Sequence, residues 1–356
     1  MKTLQPLTDP VFDPNRTYTA LDRKFLSYIH DKRDLPFIYL TLQITFTLIP
    51  LAVLMYWPGV SNWLWWTAAV AFFAFNNFVF KGPFGLMLHC TSHRKFFKEK
   101  YAFLNNYLPW VVGPLFGQSP ETYFSHHIGM HHPENNLADD ESTTMPYQRD
   151  SFRSWLMYFT DFFFLGVART AGYFKRKNRP KLMVKLLRGE TLFYIFVAAL
   201  CFVNFAATFM VFILPFFLSR IVMMLGNFAQ HAFVDANDPG NAYKNSLTCI
   251  NTKYNHKCWN DGYHISHHIK PTMHWTEHPV YFTKTLNEYV ENEAIVFDGI
   301  HFLHVFFWLM TKRYDLLAKH FVNIGNGFSS DEEVITFLKS RTQRIAMPEL
   351  AAVRAA

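Results

Sequence analysis

Seventeen histidines occur in this chain, and four of them, His126, His127, His131 and His132, fall inside seven positions. Neutral imidazole is the commonest protein ligand for a transition metal, so the run from Phe124 to Pro133 reads as part of a metal site. On a helix, His127 and His131 would lie one turn apart on one face, with His132 beside them. Three further groups repeat the theme. His89 and His93 stand at HxxxH spacing, Asn227 and His231 at NxxxH, and His264, His267 and His268 at HxxHH. Together they supply nine imidazoles and one amide, enough for two ions at four or five ligands each. Any one group has a plain alternative. HxxxH at a helix end is commonly incidental, and a lone His231 reads as a satisfied core residue. Four groups on one side of a membrane are harder to dismiss, because an ionisable side chain within a span is costly unless it has a function.

Other metal chemistries can be tested by motif. A zincin needs HExxH, with the glutamate as general base. Here Cys90, Thr91 and Ser92 fill the interior of the HxxxH pair. The soluble di-iron bundles use glutamate ligands and ExxH pairs, and no ExxH occurs. Haem attachment through CxxCH is absent too, and Cys90, Cys201, Cys249 and Cys258 form no CxxC pair, which argues against a zinc–thiolate or disulfide framework. An all-histidine set suits iron better than zinc or magnesium, since positions stay open for oxygen chemistry.

The elements that must position these groups follow from hydropathy. Half the residues are hydrophobic, 39 are Phe, and 17% are charged, against about 25% in a soluble domain. Mean hydropathy is nonetheless near zero, so the apolar residues are concentrated in segments. Runs at 37–57, 63–80, 191–214 and 216–234 can each cross a hydrocarbon core of about 30 Å. Turns are expected at Pro58-Gly59 and at Pro215, with Trp63, Trp65 and Trp66 at an interface. The stretch 101–117 is Pro-broken and reads as interfacial or re-entrant. Residues 151–167 carry Arg153 and Asp161 and suit a helix lying in the interface, and 299–310 suits a short interfacial or cap helix. Residues 1–36 form a tail, flexible at its Pro-rich start, 37–328 a membrane and cap domain, and 329–356 a C-terminal helix and tail.

Neither expected hairpin turn carries Lys or Arg, whereas the other connections hold nearly all of them. The positive-inside rule then puts both termini and every histidine group on the cytoplasmic side. The net charge of +7 suits an anionic leaflet or an acidic partner. Nucleic acid is not indicated, because the basic residues interleave with no recognition motif.

The set HxxxH, HxxxHH, NxxxH and HxxHH, with four spans, resembles the membrane fatty acid desaturase/hydroxylase superfamily from about residue 37 to 278. The resemblance implies an all-α integral membrane fold with a helical cytosolic cap. It implies two Fe ions held by His89, His93, His127, His131, His132, His231, His264, His267 and His268, with Asn227 approaching a metal through water. It further implies O2 as co-substrate and hydrogen abstraction from an unactivated methylene of an acyl chain. The second box has three residues between its first histidine and the pair, where many desaturases have two and the membrane alkane monooxygenases three. His126 makes the first ligand ambiguous, and the relation to His131 favours His127. No HPGG-type haem segment is present, so electrons would come from a separate ferredoxin-, rubredoxin- or cytochrome b5-like donor. The basic stretch from Lys175 to Lys185 is placed to meet such a donor or anionic lipid.

Ligating imidazoles usually donate their second N–H to a carboxylate or carbonyl. Asp261, Asp235, Glu121, Asp139, Asp140 and Glu141 are the carboxylates near enough in sequence, while His256, His274 and His278 are expected to lie outside the ligand set. The function expected is an O2-dependent acyl desaturase. The alternatives on the same site are hydroxylation of an alkane or acyl chain and oxidative decarboxylation of a free fatty acid to a 1-alkene. A non-enzymatic metal-binding membrane protein would be expected to carry carboxylates within its spans, and these spans have none.

Overall fold

The computed structural model describes residues 1–346. It is mostly helical, with one two-stranded sheet among those residues. The principal elements are α1 (Lys32–Tyr56), α2 (Asn62–His93), α3 (Phe152–Arg176), α4 (Pro180–Val203) and α5 (Phe205–Gln230). Then come β1 (Leu247–Ile250), α6 (His264–Ile269), β2 (Ile295–Asp298), α7 (Phe302–Met310) and α8 (Asp331–Arg341). Helices α1, α2, α4 and α5 are long and apolar enough to cross a membrane.

Two boundaries differ from the sequence reading, for identifiable reasons. The expected third span at 191–214 is instead α4, which starts eleven residues earlier, at Pro180, and ends at Val203. Proline is tolerated there because the first helical N–H needs no partner. The expected turn at Pro215 lies instead at Asn204, whose side chain accepts from the Ala207 N–H at 3.0 Å and caps α5. Pro215 then sits inside α5, directly after a π-helical turn at Phe209–Ile213. That widened turn accommodates a ring that would otherwise clash with the preceding turn.

The chain divides into two compact units. One comprises Phe12–His126 and Lys177–Ile221. In it α1 and α2 run antiparallel, and Arg94, just past the end of α2, pairs with Asp34 at 2.7 Å near the start of α1. Leu35, Ile44 and Leu48 of α1 and Ala69 and Phe72 of α2 are buried. Phe46, Trp57, Trp63, Trp66 and Phe78 face outward, as lipid-exposed side chains would. An apolar cavity of about 710 Å³ opens between the far end of α1 and α4, lined by Ile49, Tyr56, Trp110, Leu115, Phe193 and Phe212. The loop leading to the second box lies against α4. Glu190 accepts from Ser119 at 2.5 Å and Thr122 at 2.8 Å, and Arg220 reaches it at 3.2 Å. A side chain on Gly189 would place its Cβ 1.6 Å from the Pro120 carbonyl oxygen, so only glycine fits there.

The other unit comprises Met1–Val11, His127–Arg176 and the described residues from Val222 on. Its strands pair in parallel, Leu247 against Ile295 through Ile250 against Asp298. Ile250, Tyr263, Ile265, Phe282, Tyr289 and Val296 pack as a core around them. Helix α3 exposes Phe152, Leu156, Met157, Phe164 and Leu165 along 25 residues, and Asp161 pairs with Arg169 on the same helix. Helix α7 buries Val305 and Phe306 and exposes Leu303 and Phe307. Arg149 is fully buried, donating to the carbonyls of Ala232, Met145 and Arg341 at 3.1–3.2 Å.

Of the residues expected as a flexible start, Met1–Val11 are pinned within this unit. Lys2 bridges to Val322, and its ammonium lies 2.6 Å from Asp298. A run of prolines disfavours regular structure but does not prevent docking when hydrogen-bond partners are supplied.

Candidate metal centre

Within the second unit, His131, His231, His264 and His268 each offer a ring nitrogen, all within 4.8 Å of one another. His131 leaves a short helical run, His231 follows directly after α5, and the other two stand one turn apart on α6. The local structure aims each ring. His231 Nδ1 lies 2.8 Å from the Asn245 carbonyl oxygen, which can only accept. Nδ1 therefore carries the proton, and Nε2 presents a lone pair. Nδ1 of His131 lies 2.7 Å from Asp140, which is itself held by the backbone N–H groups of Asn136 and Ser142 and by the Ser142 hydroxyl at 2.6–3.1 Å. His264 Nε2 is 3.2 Å from His231 Nε2 and 3.1 Å from His268 Nε2. Two imidazoles held at about 2.1 Å from one ion and at right angles to each other are separated by about 3 Å. Burial, with the neighbouring imidazoles His264 and His132 adding to it, pushes His268 well below the ordinary imidazole value, so its ring stays neutral as a ligand must be.

His127, His132 and His267 form a second set in the same unit. His132 Nε2 lies 3.1 Å from His127 Nε2 and 2.9 Å from His267 Nε2. Both boxes therefore divide between the sets. His264 and His268 face one and His267 the other; likewise His131 faces one, while His127 and His132 face the other. A same-face α-helical reading of His127 and His131 does not anticipate this. The residues His127–His131 form a π turn, whose extra residue brings His132, five positions on, round to His127.

His89 and His93 belong to the other unit, one turn apart at the end of α2 with ring centroids 5.1 Å apart. Asn227 donates its amide to the Ser142 carbonyl at 3.0 Å and to the Tyr158 oxygen at 2.6 Å. His126 stands in neither set. Nor do His256, His274 and His278; His274 caps a short turn at Thr276, and His278 meets the Ser266 hydroxyl at 2.7 Å.

Of the carboxylates considered from sequence, Asp140 meets His131 of the first set at 2.7 Å. Asp261 accepts from Tyr254 at 2.6 Å and Asp235 pairs with Arg341 at 2.8 Å. Glu121 pairs with Lys185 at 2.9 Å. The roles of Asn136, Ser142 and the Asn245 carbonyl were not visible in the sequence. A backbone acceptor has no residue signature, and Asn136 acts by its N–H.

Among the described residues the donor sets are uniformly imidazole, with no carboxylate or thiolate in them, and the outer nitrogens of His131 and His231 are fixed by a carboxylate and a carbonyl. That chemistry fits iron. Four helices long and apolar enough to cross a membrane, with histidine groups able to hold metal, define a helical membrane protein of the histidine-box type. Over residues 65–299, more than half its length, the chain matches the family model described as fatty acid desaturase, and it belongs to that family. The family is iron-dependent and typically oxidoreductase, so desaturase- or hydroxylase-type chemistry on an acyl lipid is the function at this coarse level. Neither a curated protein nor a solved structure matches the chain.

Proposed function

We propose that this protein is a di-iron, O2-dependent desaturase that introduces a double bond into a fatty acyl chain. The observation carrying the reading is the division of each cap-unit box between two imidazole sets, as two neighbouring ions require. One ion takes His131, His231, His264 and His268. The other takes His127, His132 and His267, and the resemblance adds His89 and His93 of the first box to the ligands. Asn227 joins through water, its amide nitrogen being committed to Ser142 and Tyr158. Iron held by these residues would supply the activation of O2 that oxidation of a methylene needs. The chain's own part is to bury the rings and orient them, as the Asn245 carbonyl does for His231 and Asp140 for His131.

Two electrons come from an external ferredoxin-, rubredoxin- or cytochrome b5-like protein, and the basic stretch from Lys175 to Lys185 is suited to an acidic partner. Both termini and the centre are cytoplasmic on this reading, because the connections at Pro58 and Asn204 carry no Lys or Arg.

A second reading rests on the box spacing. Three residues separate His127 from His131, as in alkane monooxygenases, and here they lie in a π turn. Hydroxylation, or decarboxylation of a free acid to a 1-alkene, uses the same centre. Feeding defined fatty acids to cells expressing the protein distinguishes the readings. An internal alkene is the expected product; an alcohol or a 1-alkene one carbon shorter would replace the first reading with the second. Bound iron should fall and product be lost in His131→Ala and in His267→Ala. Activity surviving both changes would refute the di-iron centre.

A further inference from the structure

The segment Met1–Val11 shares a unit with the third histidine box, although more than 250 residues separate them in sequence. Its contacts converge on one side chain. Asp9 is only 5% exposed, and both its oxygens are occupied. Oδ2 accepts from the Tyr263 hydroxyl at 2.6 Å and the Asn251 N–H at 2.8 Å. Oδ1 accepts from the Asn255 amide at 3.0 Å and, at 3.4 Å, from the Thr252 N–H. Its neighbours extend the attachment. The Thr8 N–H donates to Asn251 at 2.7 Å, and the Pro10 carbonyl accepts from Asn260 at 2.8 Å.

All of these partners, Asn251, Thr252, Asn255, Asn260 and Tyr263, lie in the connection between β1 and α6. That loop needs external support, because Asn251, Trp259 and Asn260 all have positive φ, at 53°, 53° and 56°. Asparagine tolerates this conformation, whereas tryptophan adopts it at a cost. Asn255 carries the attachment onward, accepting from the Gly262 N–H at 2.9 Å and donating to the Cys249 carbonyl at 2.9 Å. The fit is close, since a Cβ on Gly262 would lie 2.3 Å from the Cys249 oxygen and 2.4 Å from Asn255 Oδ1. Tyr263, bonded directly to Asp9, immediately precedes His264. Its carbonyl accepts from the His267 N–H at 3.1 Å and the Ser266 hydroxyl at 3.0 Å, which closes the first turn of α6.

We infer that Asp9 is a positioning residue for the third box: acting through Tyr263 and Asn255, it sets where α6 begins and so where His264, His267 and His268 point. The inference rests on the proposed function for its consequence, the metal sets, but not for its structural content. Removing the carboxylate strands a buried hydroxyl, an amide and backbone N–H groups whose desolvation is then uncompensated. The loop shifts to recover partners, and the first turn of α6 shifts with it.

The test uses the full chain in detergent, with Asp9→Ala, the isosteric Asp9→Asn, and Lys2→Ala, which loosens the same segment at Asp298. Two readouts are taken: cobalt(II) affinity and visible spectrum of the metal-stripped protein, and amide hydrogen exchange across 251–269. The expected result for Asp9→Ala is a tenfold or greater loss of cobalt affinity, on the scale of other outer-shell changes, a changed spectrum, and faster exchange in 264–269. Asp9→Asn changes in the same direction and serves alone if the alanine variant does not fold. Lys2→Ala leaves both readouts near wild type. Wild-type affinity and exchange in Asp9→Asn, or a Lys2→Ala effect as large as that of Asp9, would overturn the inference. If the unaltered protein binds no metal, the proposed function fails separately, and the exchange of 264–269 in Asp9→Asn still decides the role of Asp9.

Discussion

The two imidazole sets of the cap unit are held in different ways. Around His131, His231, His264 and His268, two rings have their outer nitrogens tied to fixed acceptors, Asp140 and the Asn245 carbonyl. Around His127, His132 and His267 the close contacts run from ring to ring, with His132 at the centre. The first set is aimed by the protein around it, so its geometry exists before metal arrives. In the second, His132 Nε2 lies within 3.1 Å of the ring nitrogens of both His127 and His267. Damage to the first should therefore be graded according to which support is lost, and in the second the loss of His132 should be felt by both rings it meets.

The largest effect is expected where the second set has its hub. In His132→Ala the Nε2 that lies 3.1 and 2.9 Å from its neighbours is gone. Iron should fall from two per chain to about one, and product formation by more than the roughly hundredfold upper range of outer-shell changes. Iron content with Mössbauer spectroscopy checks the first part and product analysis the second. Two irons retained by His132→Ala would erase the contrast between the sets.

A smaller effect is expected from the carboxylate that aims His131. Asp140→Asn keeps the shape but removes the charge and one acceptor from a site where three donors already converge. Metal affinity at the first set should fall by about ten- to hundredfold, with the second set unchanged. Titration of the stripped protein with cobalt(II), in which two phases separate the sets, is the measurement. A loss shared equally between both phases would show that the sets are not independently supported.

What could be read beforehand follows the same division. The gathering histidines were legible because imidazoles at short spacings are rare and chemically specific, and the spans because each needs a long apolar run. Their allocation was not. His127 and His131 look like one face of an α-helix, and only the π turn between them sends them to different sets. The supports were legible where they are acidic side chains, as Asp140 was among several carboxylates, and invisible where they are backbone, as at Asn245. The hairpin was misplaced to Pro215 because a proline outranks an asparagine as a break signal in an apolar run. The cap on Ala207 and the π turn at Phe209–Ile213 reversed that order. The docking of Asp9 depends on partners in residues 251–263, a distance over which local pattern carries no information.

The smallest effect sharpens the claim that the first set is supported in graded steps. The Ser142 hydroxyl donates to Asp140 Oδ1 at 2.6 Å, and the backbone N–H of the same residue donates to the same oxygen at 2.8 Å. Ser142→Ala removes the first bond and leaves the second, so Asp140 keeps its position and most of its stabilisation. A hydrogen bond to a charged group contributes about 1.5–3 kcal/mol, but here the remaining donors compensate, and a net cost near 1 kcal/mol is expected. That corresponds to about a fivefold loss of metal affinity at the first set, less than for Asp140→Asn. The Ser142 carbonyl, which accepts from Asn227 and Tyr158, is retained, so the change isolates the hydroxyl. The cobalt titration should show one phase weakened slightly and the other unmoved. A loss as large as that of Asp140→Asn would mean that the hydroxyl, rather than the carboxylate's wider set of bonds, orients His131.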